Sequence, residues 1–82
     1  MEHIQPLEQL KNGTKVSICN SVKRGIVVDS EIVPASNGGM ICVHTVKLTE
    51  KIKVLSANQH EWIKMEKPEV KRINYASIYI RD

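Results

Sequence analysis

The chain has no phenylalanine, one tryptophan and two tyrosines. Single-strand nucleic-acid binders stack bases on several aromatic side chains, and this sequence offers little material for that. Cysteine is equally scarce. Cys19 and Cys42 are too few for a disulfide framework. The opening MEHIQPLEQL lacks a basic segment followed by an apolar core, so no signal peptide is read. The expectation is a cytoplasmic protein with two reduced thiols packed into strands. No apolar run approaches the roughly 18 residues of a spanning helix, and no membrane partner is expected. Charge of a single sign is missing as well. Twelve Lys+Arg face nine Asp+Glu, for a net charge of +3. This permits nucleic-acid binding without arguing for it. With 82 residues the chain is read as one domain, 1–82, with a core too thin for a deep substrate pocket.

What is present is a succession of strand-like runs, organised around KVSICNSVKRGIVVDSEIV (15–33). Val16 and Ile18 alternate with Lys15 and Ser17, which predicts a strand over about 14–19. Asn20-Ser21 is turn-prone, and a second strand follows over about 23–33. Within it Ile26, Val28, Ser30 and Ile32 would share one face, and Gly25 marks a bulge or sharp bend. Asn37-Gly38-Gly39 after Pro34 predicts a hairpin reversal. The third strand, about 40–47, is apolar on both faces, so alternation leaves its core face open. A fourth strand is placed at about 51–55, with Ile52 and Val54 inward and Lys51 and Lys53 outward. Ser56 is expected to cap a helical turn, and a fifth strand at about 61–66 ends before Pro68. The tail, 70–80, again carries strand formers and must pair within the chain or with a second copy. At the other end, Ile4, Leu7 and Leu10 repeat every third residue. Pro6 at a first turn and Asn12-Gly13 at a stop predict a short helix over 6–11.

Three stretches resemble the SH3-like barrels, the group that contains SH3, Tudor and KOW-type modules. Gly13-Thr14-Lys15-Val16-Ser17-Ile18 is similar to their opening strand. Arg24-Gly25-Ile26-Val27-Val28 is similar to their glycine-led second strand. Ser56-Ala57-Asn58 followed by Trp62-Ile63 is similar to their short turn before the closing strand. The resemblance covers 13–66 and implies an all-β small barrel of about five strands, here with a short N-terminal helix and a C-terminal strand extension at 70–80. It also implies a binding module rather than an enzyme. The ligand faces of SH3 and Tudor modules carry several aromatics, whereas Trp62 is the only aromatic before residue 75. No family binding residue is therefore carried over.

Candidate sites follow from residue type. Trp62, Tyr75 and Tyr79 are the partner-binding candidates, because large aromatics with a polar handle concentrate at interfaces. The tail with its two tyrosines would serve a protein partner or a homodimer through the C-terminal strand. Lys23, Arg24, Lys51 and Lys53 would form a phosphate-binding stripe if two strands present them together. Interleaved Glu50, Glu61, Glu66 and Glu69 weaken that field. Cys42 and His44 share one strand face and, with Cys19 or His60, could hold zinc. The paired-ligand spacing of zinc sites is missing, so packed thiols and a surface histidine are expected instead. No catalytic residue, metal or cofactor is assigned. The leading expectation is a protein-binding adaptor, regulator or inhibitor, with nucleic-acid binding as the alternative.

Overall fold

The computed structural model describes residues 2–18 and 22–81. The predicted turn at Asn20-Ser21 and the environment of Cys19 lie outside the described residues. Among the described residues six strands form one antiparallel sheet: β1 (Glu2–His3), β2 (Lys15–Ile18), β3 (Lys23–Pro34), β4 (Met40–Ser56), β5 (Gln59–Asn74) and β6 (Ile78–Ile80). Their order across the sheet is β1-β6-β2-β3-β4-β5. The sheet is open, with the two-residue β1 at one edge and the sixteen-residue β5 at the other.

The expected third and fourth strands are one strand, β4. Leu48-Thr49-Glu50 does not break it. Instead the register with β3 slips by one residue between Arg24 and Gly25, leaving Thr49 as the extra residue. A bulge of this kind bends a strand without ending it. Pro68 likewise does not end β5. Met65 to Pro68 all bulge out opposite Thr49, between the pairs Glu50↔Lys64 and Leu48↔Glu69. A proline without an N–H fits such a place, because no ladder bond is asked of it. The expected helical turn at 56–60 is a tight hairpin turn at Ala57-Asn58.

The predicted bend at Gly25 and reversal at Asn37–Gly39 are both present. Gly25 pairs with Leu48 and Val16. Gly38 has φ 87°, and the loop closes by Ala35 N–H to Gly39 C=O (2.7 Å).

The predicted N-terminal helix over 6–11 is absent. One or two turns cannot sustain a helix alone. Here the backbone groups of this segment bond to β4 and within a local turn instead. Pro6 C=O accepts from Cys42 N–H at 2.7 Å, and Lys11 C=O accepts from Thr14 N–H at 3.1 Å. Ile4 is buried and Leu10 packs on the core, while Leu7 is exposed. Residues 4–14 thus form a strap across the sheet rather than a helix on it.

The core is Ile4, Val16, Ile18, Val27, Val46, Leu48 and Ile78. On β4 it is the even-numbered side, Cys42 to Leu48, that faces inward. A second slip, between Val27 and Asp29, rephases β3. Val27 is therefore buried and Val28 exposed, and the expected common face of Ile26, Val28, Ser30 and Ile32 is split. Ser30 and Ile32 pair with the inward His44 and Cys42, although Ile32 itself stays exposed near the end of the strand. The expected inward Val54 is also exposed, because the end of the β4–β5 hairpin extends past the core. β6 pairs with β2 on one edge and β1 on the other, so residues 78–80 are satisfied within the chain. Residues 70–74 belong to β5. No helix among the described residues is long and apolar enough to cross a membrane.

Candidate interaction face

Directly paired residues in an antiparallel sheet point to the same side, and successive residues of a strand point to opposite sides. The register therefore sorts the candidates. His3 pairs with Tyr79, Tyr79 with Ser17, Ser17 with Arg24, Arg24 with Glu50, and Glu50 with Lys64. These residues form one row across the outer face, away from the core. Trp62, two residues from Lys64 and opposite Ile52, extends the row onto the hairpin.

The row is held together by charge. Arg24 donates to one carboxylate oxygen of Glu50 from Nε (2.9 Å) and Nη2 (2.6 Å). Arg81 Nη2 stands 3.9 Å from the other oxygen, and its Nε donates to Val16 C=O at 3.2 Å. The hydrogen bond from Arg24 is the main cause that holds the Glu50 carboxyl below its ordinary range. Fixed in this way, the Arg24 guanidinium lies 4.3 Å from the centre of the Trp62 ring, a cation–π contact. At the far end the His3 ring packs on Tyr79 (centroids 5.0 Å apart) and on Tyr75 (6.3 Å). Tyr75 sits in a 3-10 turn, Tyr75–Ser77, and also packs on the core.

The aromatic candidates thus fall at two ends of one row, with Arg24 and Arg81 between them. Sequence reading missed His3, Glu50 and Arg81 as members. Arg81 was within reach, since it lies two residues from Tyr79, just past the end of β6. The others depend on register.

The four basic candidates do not converge. Lys23 and Arg24 are consecutive, so they point to opposite sides. Lys23 pairs in register with Lys51, and Lys53 with Glu61, on the side away from Arg24. There Lys23 Nζ reaches the Glu69 carboxylate at 3.2 Å, and Lys71 lies 3.4 Å from it. Hydrogen bonds from Lys23 and then Lys71 hold the Glu69 carboxyl below its ordinary range. Beside this pair, the Met65–Pro68 bulge leaves an open concavity of about 550 Å³ lined by both lysines and glutamates.

Cys42 and His44 both point inward, and His44 is fully buried rather than at the surface. Burial pushes the Cys42 thiol up, away from the thiolate that nucleophilic or zinc chemistry needs. The His44 Nδ1 is 2.7 Å from Ser30 Oγ. His60 lies near the opposite end of β4, beside Val54. Among the described residues no group of three His, Cys, Asp or Glu side chains is placed to hold a metal. No family model matches the chain, and neither a curated protein nor a solved structure matches it.

Proposed function

We propose that this chain is a non-catalytic binding module that grips a protein partner on the outer face of its sheet. The observation that carries the reading is the ordered row from Trp62 through Arg24 to Tyr79. Trp, Tyr and Arg are the residue types that dominate interface energetics. Arg24 is fixed by Glu50, so little side-chain freedom is lost on binding. Apolar neighbours on the same side, Ile52, Val54 and Val70, add area suited to a protein surface. An SH3-like small barrel belongs to the same proposal. It is supported by the bond from Cys42 N–H to Pro6 C=O, which brings the chain following β1 back to β4.

The alternative, nucleic-acid binding through Lys23, Arg24, Lys51 and Lys53, ranks lower. Lys23, Lys51 and Lys53 do share a side, but Glu69 and Glu61 stand beside them, and Arg24 is turned away to Glu50.

The test is site-specific photo-crosslinking in cells, with p-benzoyl-phenylalanine at position 62, 79 or, as a control, 67 on the β5 bulge. Positions 62 and 79 should capture the same protein and position 67 should not. Trp62→Ala should then weaken the purified complex by tenfold or more. Capture of oligonucleotide instead, with affinity falling steeply as salt rises, would replace this reading with the alternative.

A further inference from the structure

The strap over residues 4–14 rests on an unusual support. His44 is fully buried, and its Nε2 is the one buried side-chain polar atom without a hydrogen-bond partner among the described residues. Its Nδ1 meets Ser30 Oγ at 2.7 Å, and Ser30 Oγ donates to Leu10 C=O in the strap at 3.4 Å. Ser30 has a single hydroxyl proton. With that proton on Leu10 C=O, Nδ1 carries the ring proton and Nε2 is a bare lone pair. The neutral imidazole therefore completes a relay from β4 through β3 to the strap. Two residues away, Cys42 N–H donates to Pro6 C=O at 2.7 Å. The strap is thus pinned on both sides of the His44 position.

We propose that the strap is an acid-released latch, and that protonation of His44 is its trigger. A proton on Nε2 creates a donor with no acceptor and a charge with no water around it, and both are relieved only if the strap lifts. The groups around the ring are few. From the strap, Glu8 is the charge whose field reaches His44, and it favours the protonated form. From β3 the paired residue is Ser30, from β5 Ile73, and the nearest inward neighbours on β4 are Cys42 and Val46. Lys71 shares the side of His44, but its ammonium is drawn to Glu69. Burial outweighs Glu8, so the ring sits below the ordinary histidine value of 6.5. The far end of the strap is tied separately by Gly13 N–H to Val27 C=O (2.7 Å) and Val27 N–H to Thr14 C=O (2.9 Å). That end stays attached, so release begins at Ile4 to Leu10. This inference does not depend on the partner proposed above.

Amide hydrogen exchange followed by NMR between pH 7.5 and 5.0 tests it. The Cys42 amide reports release, because its acceptor is Pro6 in the strap. After correction for intrinsic exchange, its protection should fall as pH drops below 6.5, with a limiting slope of about tenfold per pH unit because one proton is taken up on opening. Amides of the β3–β4 ladder should hold. In His44→Asn, whose amide still donates toward Ser30 but does not titrate, this extra loss should disappear. The ring nitrogen shifts of His44 in the unmodified protein give a reading that needs no variant. Protonation of His44 without loss of Cys42 protection would overturn the latch, as would a pH-dependent loss that persists in His44→Asn.

Discussion

Gly25 is the position where the smallest change should do the greatest harm. It faces β4 at the point where the register slips, paired with Leu48. A Cβ built there would overlap the Lys47 carbonyl oxygen and stand 2.8 Å from Leu48 Cα. Ordinary overpacking against side chains costs about 1–3 kcal/mol, because side chains can turn aside. Here the obstacle is the backbone of β4, which cannot move without disturbing its pairing to both β3 and β5. Gly25→Ala should therefore cost about 3 kcal/mol or more, at the upper end of that range. A domain of this length holds about 4–12 kcal/mol in total, on the order of 0.05–0.15 per residue. The loss should lower Tm by roughly 12–24 °C. Two other glycines calibrate the scale. Gly13 has φ 92° and open space around it, so Gly13→Ala should cost only about 1 kcal/mol of backbone strain. Gly39 has only the Asn37 side-chain oxygen at 3.2 Å, so Gly39→Ala should be near neutral. Urea unfolding monitored by circular dichroism gives all three. A Gly25→Ala variant within about 1 kcal/mol of the parent, or one less harmful than Gly13→Ala, would refute the bulge geometry.

Glu50→Gln should remove a charged hydrogen-bond acceptor from Arg24 and cost about 1 kcal/mol by urea unfolding, the pair being half-buried. It should also free Arg24 to move off Trp62, seen as a change in tryptophan fluorescence. Stability should fall in two stages with acid. His44 is depressed and neutral when folded, so the first loss begins as pH drops below 6.5. Glu50 and Glu69 are depressed and charged when folded, so their contribution is present above 4.5 and lost as pH falls below it. Thermal melts from pH 7.5 to 3.5 should show both stages, and His44→Asn only the second. Ile4→Ala should cost about 2–4 kcal/mol, because Ile4 is the strap's anchor in the core. A cost below about 1 kcal/mol would mean that the strap adds little to the core. The Cys42 thiol should resist alkylation in the folded protein and react on unfolding, as mass spectrometry after peptide digestion can show.

Strand formation was legible because it depends on local residue type. Val16 and Ile18 alternate, Ile26 to Val28 are β-branched, and Asn37-Gly38-Gly39 turns. Strand length was not legible, because bulges obey pairing rather than propensity. Thr49 and Met65 to Pro68 look like breaks in one dimension. In the sheet they are places where one strand takes extra residues and continues. The helix over 6–11 failed for a related reason. Its periodicity was genuine for Ile4 and Leu10, but the carbonyls of Pro6 and Leu10 found partners on β4 and β3, which no periodicity records.

The candidate site shows the same limit in sharper form. Lys23-Arg24 reads as a basic pair in the sequence, yet strand geometry sends the two side chains to opposite sides of the sheet, each to its own glutamate. Trp62 and Tyr79 read as separate features, yet Ser17, Arg24 and Glu50 link them through successive registers. In a β protein of this size, chemistry collects along the direction of the hydrogen bonds, perpendicular to the chain. Residue type can be read along the sequence, but company is decided across it. One-residue slips at Gly25 and Val28 therefore decide which side chains share a face. The register set by the β3–β4 hairpin, before either slip, puts His44 opposite Ser30, and so it places the one buried titratable ring among the described residues beneath the strap.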